Sequence, residues 1–242
     1  MKYILTIAFA FFIFTGNVKA APLHAYYCFN ALETANNVVS AFDGFLNSSS
    51  SDGMSTHRLY AFPLNGENNI THCMVAEHSG PDQFEKNNSI VNGSAEGQAL
   101  LSTLNQNVTW VLNGAGTPIL SAGEQDPNAP VGILIDIKAK DNAAFVKSLG
   151  KFLNSANPNG SITVFADTFT GVDNRTHYVV INGSSLEEAM SNLDSSLATA
   201  EGQNYLQRAN KFRKVMSRSL IYLVKSWEKN YQYILKVLFY LK

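Results

Sequence analysis

The sequence predicts an α+β protein built from two tandem copies of one module, and three observations support this. The chain repeats itself at an offset of 105 residues, with 14 identities in the 50 ungapped positions 58–107, where chance would give about three. Each copy alternates strand-like and helix-like segments in the order β-α-β-β-α-β. Strands such as Val131–Ile135 are apolar on both faces, which indicates a sheet covered on both sides.

The repeat has clear anchor points. Ala95–Gln98 aligns with Ala200–Gln203, because both read Ala-Glu-Gly-Gln, and Thr71-His72 aligns with Thr176-His177. Before position 58 the offset becomes 107, so the loop there differs by two residues between the copies.

The first strand and helix of the module are clearest in copy 2. Val131 to Ile137 is a β-rich apolar run, and Asp141 can cap the helix that follows. This helix has apolar residues at helical spacing. They are Phe145, Val146, Leu149, Phe152 and Leu153, and copy 1 repeats the stripe as Val38, Val39, Phe42, Phe45 and Leu46.

Two more strands and a helix follow in each copy. The second strand is expected near Leu59-Tyr60 and Val164-Phe165, and the third begins at Thr71 and Thr176 after a polar turn. In copy 2, Ser185–Glu188 is a capping box that opens a helix. Residues 81–91 form its weaker counterpart, and the Ala-Glu-Gly-Gln segment begins a further helical piece in each copy.

Each module should end with a strand, near Thr109–Leu112 in copy 1 and near Leu220–Val224 in copy 2. The stretch 121–130 is rich in Gly, Pro, Asp and Asn and is the predicted linker. The predicted organisation is therefore module 1 at residues 21–120, module 2 at residues 131–228 and an apolar, basic tail at residues 229–242.

The N-terminus has the pattern of a secretory signal. A basic start at Lys2 precedes an apolar run from Ile4 to Phe14, and small residues surround Ala20. This run is too short to cross a bilayer, which takes about 20 residues. We expect cleavage after residue 20 and an exported protein, periplasmic or secreted.

The charge distribution argues against a nucleic-acid binder. Without residues 1–20, 16 Lys and Arg face 19 Asp and Glu, a net charge of −3. Residues 208–242 are the exception, with nine basic residues and one acid, Glu228. No phosphate loop, nucleotide-binding fingerprint or hydrolase nucleophile motif is present.

The element order is the split βαβ, ferredoxin-like arrangement. One such module leaves a sheet face bare, and the second module can cover it, forming a barrel or sandwich within one chain. The chain thus resembles the dimeric α/β-barrel superfamily, which includes the antibiotic-biosynthesis-monooxygenase-like proteins. The resemblance rests on the element order, the repeat and the Thr-His pair of each third strand. It implies an oxygenase or haem-handling enzyme as one function, but no family active-site motif can be matched.

Two sets of repeated polar residues are candidate site residues. His72 and His177 occupy equivalent positions and could act as general bases, or could each bond a backbone carbonyl where a hairpin meets its strand. The second set could face a cavity, or could complement a helix N-terminus. It contains Glu96, Gln98, Glu201 and Gln203.

Copy 1 has features of its own. Tyr26 and Tyr27, near His24, could line a ligand pocket or belong to the core. Cys28 and Cys73 lie on strands that are neighbours in a ferredoxin-like sheet, so a disulfide and two buried thiols are both open. In the sequence alignment, the equivalent residues of copy 2 are Ile135 for Cys28 and Tyr178 for Cys73.

These observations leave three functions open. The first is a non-catalytic exported protein that binds a small apolar ligand or a protein partner, without metal or other cofactor. The second is a monooxygenase-like or haem-handling enzyme that uses the space between the sheets. The third is a membrane-surface protein that uses the C-terminal tail. The tail could instead pack on the barrel, or copy 2 could depart from the repeat after about Phe212.

Overall fold

The computed structural model describes residues 21–155, 158, 160–172 and 174–229. Its eight strands are β1 (Leu23–Asn30), β2 (Thr56–Leu64), β3 (His72–His78), β4 (Thr109–Gly123), β5 (Val131–Ala139), β6 (Ser161–Phe169), β7 (His177–Gly183) and β8 (Arg213–Trp227). Its α-helices are α1 (Ala35–Leu46), α2 (Pro81–Gly93), α3 (Ala95–Asn107), α4 (Asn142–Ser155), α5 (Leu186–Ala198) and α6 (Ala200–Phe212). A short 3₁₀ turn covers Ser49–Ser51.

The eight strands form one closed barrel in the order β1-β3-β2-β8-β5-β7-β6-β4, and every neighbouring pair is antiparallel. The last strand of each module joins the two halves. β4 pairs with β1 and with β6, whereas β8 pairs with β5 and with β2. The barrel therefore closes only when both modules are present. The predicted α+β fold, with two ferredoxin-like modules forming an intrachain barrel, is confirmed.

The two halves are related by an approximate two-fold axis along the barrel. β1 and β5 lie four positions apart, on opposite sides of the eight-strand ring. Because every neighbouring pair is antiparallel, these two strands run in the same direction. Equivalent residues therefore lie at the same end of the barrel and face each other across it. We call the end with the β2–β3 and β6–β7 loops the hairpin end, and the end with residues 124–130 the linker end.

The helices cover the outside of the barrel with a separate apolar core in each half. In copy 1, Phe42 and Phe45 of α1 pack on Phe29 and Leu59 of the sheet. The corresponding core of copy 2 includes Phe145 of α4. Each final strand contacts the other half, since Trp227 of β8 lies in the copy 1 core, and its indole N–H donates to Asp43 at 2.9 Å.

Local signals in the sequence account for several element boundaries. The Asp141 carboxylate accepts from the backbone N–H of Ala144 at 2.9 Å, and α4 begins at Asn142 as the cap predicts. Ser185 likewise accepts from the N–H of Glu188 at 3.1 Å. The return bond of this capping box differs from expectation, because the Glu188 carboxylate accepts from the N–H of Ser184 at 2.6 Å rather than from Ser185.

The final strands are much longer than the sequence indicates. Each has 15 residues, because each pairs with its own module at one end and with the other module at the other. As a result, β4 extends through Gly123, and the connection to β5 is residues 124–130. The idea that copy 2 departs from the repeat after Phe212 is wrong for the described residues, since β8 matches β4 in length and pairing. Residues 1–20 and 230–242, with the expected signal and most of the tail, lie outside the described residues.

The register also corrects the alignment of the first strands. In β1, Phe29 faces His72, and in β5 it is Ile137 that faces His177. Phe29 and Ile137 are therefore equivalent, so the counterpart of Cys28 is Asp136, not Ile135. The sequence alignment misses this because it applies to the first strands the offset of 107, which fits only the helices that follow them.

Candidate functional site

The barrel encloses a cavity of about 900 Å³, which we call the lumen cavity. Side chains of both modules line it, and five of them are aromatic. These are Tyr26, Tyr60, Phe62, Phe165 and Tyr178. Aliphatic side chains such as Ile70, Val75 and Val180 add to an apolar wall. A concave, largely apolar space with a few polar groups is the usual form of a small-molecule site.

Two glycines on β4 make room for tyrosine rings in this cavity. A Cβ at Gly114 would collide with the hydroxyl of Tyr26, and a Cβ at Gly116 would lie 2.5 Å from the hydroxyl of Tyr178. The ring of Tyr178 stacks on Phe165 with centroids 4.7 Å apart and meets Tyr26 edge-on at 6.0 Å. The glycines thus let the wall of the barrel hold a packed aromatic group.

A buried ionic group, the Arg175 cluster, lies at the hairpin end and consists of Arg175, Asp136, Asp167 and Tyr26. The Arg175 guanidinium donates to both Asp167 oxygens at 2.6 and 3.0 Å, to Asp136 Oδ1 at 2.7 Å and to the Tyr26 hydroxyl at 2.6 Å. It also lies over the rings of Tyr26 and Tyr178, 5.1 and 4.8 Å from their centroids. Burial raises the pKa of Tyr178, which keeps its phenol protonated.

The Arg175 cluster has no counterpart in copy 1. The register makes Cys28 the equivalent of Asp136 and Cys73 the equivalent of Tyr178. At the repeat offset, Ile70 stands where copy 2 has Arg175, and Phe62 stands where copy 2 has Asp167. At its hairpin end the lumen cavity therefore has a charged wall from copy 2 and an apolar wall from copy 1.

The apolar wall contains a disulfide. Cys28 and Cys73 lie directly opposite each other on β1 and β3, with their Cα atoms 4.0 Å apart, and their sulfurs are bonded. Both residues line the lumen cavity and pack with Tyr26 and Ile70. No other cysteine occurs in the sequence.

Two β-bulges shape the hairpin end. The register of β4 on β1 passes from Leu112 to Trp110 and leaves out Val111, and that of β8 on β5 leaves out Met216 in the same way. Bulges at barrel rims redirect side chains. Val111 and Met216 both line the lumen cavity while remaining 38% and 37% exposed, so these two residues form its rim.

The linker end has its own polar residues. Arg58 is 3% exposed and forms ion pairs with Glu77 and with Glu228, the second at 3.4 Å. His24 lines the cavity beside Glu77, and its ring lies 5.3 Å from that of Phe165. Burial lowers the pKa of His24, although Glu77 opposes this effect, so the imidazole is neutral near pH 7.

His72 and His177 lie on the helix side of the sheet, not in the lumen cavity. His72 stacks on Phe29 at 5.9 Å, and His177 meets Phe145 edge-on at 4.8 Å. The Nδ1 of each lies 2.9 Å from the hydroxyl of the preceding threonine. This symmetric packing gives both histidines a structural environment.

The other sequence candidates are distributed differently. Tyr26 lines the lumen cavity, whereas Tyr27 packs on the helix side near Phe84. The four remaining side chains are exposed at the starts of α3 and α6, away from the cavity. They are Glu96, Gln98, Glu201 and Gln203.

A second group of buried histidines lies under α2. His57 and His78 are 8% and 3% exposed, and His78 contacts Ser55 and Asn87 at 3.2 and 3.3 Å. Burial lowers the pKa of each to about 4. This group is outside the lumen cavity.

Sequence reasoning missed Arg175 and Asp136, although one signal for Arg175 was available. The segments Asn69–His72 and Asn174–His177 are identical except that Ile70 is replaced by Arg175. A charge that replaces an apolar residue inside a repeated motif marks a place where the copies differ in role. Asp136 could not be found in this way, because its counterpart depends on the register.

Comparisons with known proteins bear on the fold. No family model matches the chain, and no curated protein sequence matches it. A provisionally assigned monooxygenase from Fusobacterium nucleatum is similar in structure, with a TM-score of 0.59 and 13% identity over 87% of this chain and 96% of that one. An anthrone oxidase-like protein has a TM-score of 0.58 and 8% identity over 87% of this chain and 93% of that one.

A variant of chlorite dismutase from Candidatus Nitrospira defluvii, in complex with cyanide, is similar with a TM-score of 0.51 and 14% identity. The likeness covers 86% of this chain and 92% of that one. The chain has the dimeric α/β-barrel fold. At these identities the likeness extends to the fold alone, so function must be argued from the lumen cavity.

Metal-binding clusters and membrane-spanning helices are both absent from the part of the chain that the structure describes. The described residues contain no group of three or more His, Cys, Asp or Glu side chains placed to hold one metal ion. Within the same residues, no helix is both long enough and apolar enough to span a bilayer.

Proposed function

We propose that the protein binds a small, largely apolar molecule in the lumen cavity. The observation that carries this proposal is the cavity itself, about 900 Å³ between the two halves, with five aromatic side chains in its wall. A protein interior is normally packed without voids larger than a water molecule. A space of this size at the centre of a barrel fits a ligand better than an empty core.

We also propose that the protein works outside the cytoplasm. The signal-like N-terminus supports this, and so does the Cys28–Cys73 disulfide, because disulfides persist in oxidising compartments. A thiol count on the denatured protein, with and without reductant, tests the bridge. Two free thiols without reductant would contradict it.

The binding proposal can be tested with a neutral fluorescent probe, N-phenyl-1-naphthylamine, whose emission rises in apolar surroundings. Ser219 of β8 lines the cavity, so Ser219→Phe should fill part of it and weaken probe binding roughly tenfold or more. Val224, on the same strand, is 44% exposed, so Val224→Phe is the matched control and should bind normally.

Unfolding curves must show that Ser219→Phe is folded, since overpacking can cost about 1–3 kcal/mol. Ser219→Leu provides a smaller substitution if the phenylalanine is not tolerated. Equal probe affinity in a folded cavity variant and in the Val224→Phe control would contradict binding in the lumen cavity.

A second candidate function is an oxygenase-like enzyme in which His24 is a general base. One observation favours it, which is that His24 is a neutral imidazole in an aromatic cavity beside Glu77. In that position it could remove a proton from an acidic C–H or phenolic O–H of a bound substrate. The anthrone oxidase-like protein of similar fold suggests anthrone as a first test substrate.

Oxygen uptake with anthrone distinguishes this enzyme from a binding protein. The enzyme hypothesis expects uptake above the uncatalysed rate and a loss of roughly 100-fold in His24→Gln. Binding of the neutral probe should be the same in both proteins. Uptake at the uncatalysed rate, or full activity in His24→Gln, would contradict the general-base role.

Haem is the cofactor that the fold resemblance brings forward, and the lumen cavity suits it only in part. Protein haem is held by His, Cys, Met or Tyr, and the lining offers the neutral imidazole of His24 and the thioether of Met216 as axial ligands. Cys28 and Cys73 are bonded to each other, and burial raises the pKa of Tyr60 to about 12, which disfavours its phenolate. Among the described residues that line the cavity, the only lysine or arginine is Arg175, and two aspartates already neutralise it, so this lining has no free cation for the propionates. No step is therefore assigned to haem.

A further inference from the structure

The charges that line the lumen cavity are unbalanced. Three carboxylates line it, Glu77, Asp126 and Asp136, against one guanidinium, Arg175. Two more charged side chains lie behind this lining. Asp167 pairs with Arg175, and Arg58 pairs with Glu77 and with Glu228. With His24 neutral, the described lining therefore carries two surplus negative charges.

Arg175 has little capacity left for an anionic ligand. Four of its five N–H groups donate to Asp167, Asp136 and Tyr26, so a single N–H of Nη1 remains. Its guanidinium carbon also lies 5.1 and 4.8 Å from the ring centroids of Tyr26 and Tyr178. Because two aspartates already neutralise this guanidinium, an anion entering the cavity would gain little from it.

Asp136 does have capacity left. Its Oδ1 accepts from Arg175 at 2.7 Å, and its Oδ2 accepts from the Ser217 hydroxyl. A carboxylate has about four lone-pair sites, so each oxygen can accept a further hydrogen bond. Asp136 lines the cavity, and its neighbour Tyr178 presents an aromatic ring there. Carboxylates and aromatic rings both attract cations.

We propose that the ligand of the lumen cavity is an arylalkyl or alkyl amine, whose ammonium group bonds Asp136 while its apolar body lies against copy 1. This inference rests on the proposed function of the cavity and names its ligand class. The approximate two-fold axis sets the orientation. Opposite the charged wall stand the Cys28–Cys73 disulfide, Phe62 and Ile70, which offer an apolar surface at the same end of the barrel.

The test compares probes that share one ring system and differ in charge. These are 2-naphthylmethylammonium, 2-naphthylmethanol and 2-naphthoate, measured by titration calorimetry at pH 7. We expect the ammonium to bind the unaltered protein roughly tenfold more tightly than the alcohol, because hydrogen bonds to charged groups are stronger than neutral ones. The naphthoate should bind most weakly of the three.

Asp136→Asn should reduce the preference for the ammonium to within about twofold, while the alcohol binds as before. Asp141→Asn is the matched control, because Asp141 is an exposed helix cap outside the cavity, and the change in net charge is the same. Should Asp136→Asn fail to fold, Ser217→Ala gives an independent test. It frees an Asp136 oxygen, so the ammonium preference should be kept or increased.

The outcomes separate this inference from the proposed function. If no naphthalene probe binds, the lumen site itself is contradicted. If the alcohol binds as tightly as the ammonium, or if Asp136→Asn keeps the full preference, only the amine inference is overturned. A loss of the preference in Ser217→Ala would also overturn it.

Discussion

At the scale of single residues, the repeated Thr-His pairs illustrate how a symmetric motif supports the fold. The Thr71 hydroxyl accepts from the N–H of Ala31 at 2.9 Å, and the Thr176 hydroxyl accepts from the N–H of Ala139 at 2.8 Å. Each threonine thereby fixes the start of a third strand to the end of a first strand. The histidine beside it packs against a buried phenylalanine on the helix side of the sheet, Phe29 for His72 and Phe145 for His177, so the duplication preserves a structural contact.

Replacing Thr176 by Val should destabilise the protein without affecting ligand binding. The variant loses the bond from Ala139 and the bond that Thr176 donates to the Ile137 carbonyl at 3.2 Å. We expect the free energy of unfolding to fall by about 1–2 kcal/mol in urea titrations. Thr176→Ser, which keeps the hydroxyl, is the control. Weaker binding of the naphthalene probes by folded Thr176→Val would show that this motif belongs to the site.

The buried histidines predict how stability depends on pH. Burial lowers the pKa of His57 and His78 to about 4 in the folded protein, whereas the unfolded chain titrates near 6.5. Between these values the unfolded state binds more protons, so the free energy of unfolding should decrease as the pH falls from about 6.5 to 4. Each histidine contributes at most about 1.4 kcal/mol per pH unit.

In His78→Gln the unfolded state should take up at most one proton fewer than in the unaltered protein. The dependence of the free energy of unfolding on pH, measured by urea titrations between pH 4 and pH 7, should therefore become less steep. His72→Gln is a comparison in which a less buried histidine is removed. An unchanged slope in His78→Gln would show that His78 titrates normally in the folded protein.

At the scale of secondary structure elements, β4 and β8 determine the architecture. Each pairs with one module along one end and with the other module along the rest, and a bulge in each turns one side chain to the cavity rim. β4 also supplies Gly114 and Gly116, which accommodate the rings of Tyr26 and Tyr178. The final strands thus both close the barrel and shape the lumen cavity.

Gly116→Val should destabilise the protein by about 1–3 kcal/mol, because a Cβ at this position would lie 2.5 Å from the Tyr178 hydroxyl and 2.7 Å from its ring. A Cβ at Gly44 of α1 would meet no neighbouring side chain within 4 Å, so Gly44→Ala is the control and should stabilise by about 0.4–1 kcal/mol. Thermal unfolding measures both. Unchanged stability in Gly116→Val would mean that the Tyr178 ring does not occupy the space above β4.

The sequence was informative wherever the signal is local. The helical stripe that includes Phe145 and Leu149 and the cap at Asp141 predicted α4, and the repeat predicted the paired modules. The second half of β8 was predicted near Leu220–Val224, but its first half was not, because Arg213–Ser219 alternates exposed and partly buried side chains with few large apolar residues. The strand character of this first half comes from pairing with β5, which no local pattern records. The Arg175 cluster depends on the same long-range pairing.

At the scale of the whole molecule, duplication within one chain allows the two halves of a symmetric barrel to differ. A barrel made from two identical chains would carry the same residues on both sides of its lumen. Here one side of the hairpin end presents Asp136 and Arg175, and the other presents the Cys28–Cys73 disulfide and Ile70. This asymmetry gives the lumen cavity a polar wall and an apolar wall, suited to a ligand with two unlike ends.

Each module alone should fail to form the monomeric fold. A protein of residues 21–123 leaves half of β4 without β6, and one of residues 124–229 leaves β8 without β2. We expect each half alone to be unfolded or self-associated, and an equimolar mixture to form a one-to-one complex. Gel filtration with light scattering distinguishes these states. A folded, monomeric half would contradict the interdependence of the modules.

The most direct test of a ligand site in the barrel is a crystal structure of the protein grown with 2-naphthylmethanol, the neutral probe. We expect the naphthalene ring inside the barrel, in contact with the aromatic group around Tyr178 and with the disulfide wall. A ring bound only on the outer surface, or a lumen filled by rearranged side chains with no space for the probe, would contradict a ligand site in the barrel.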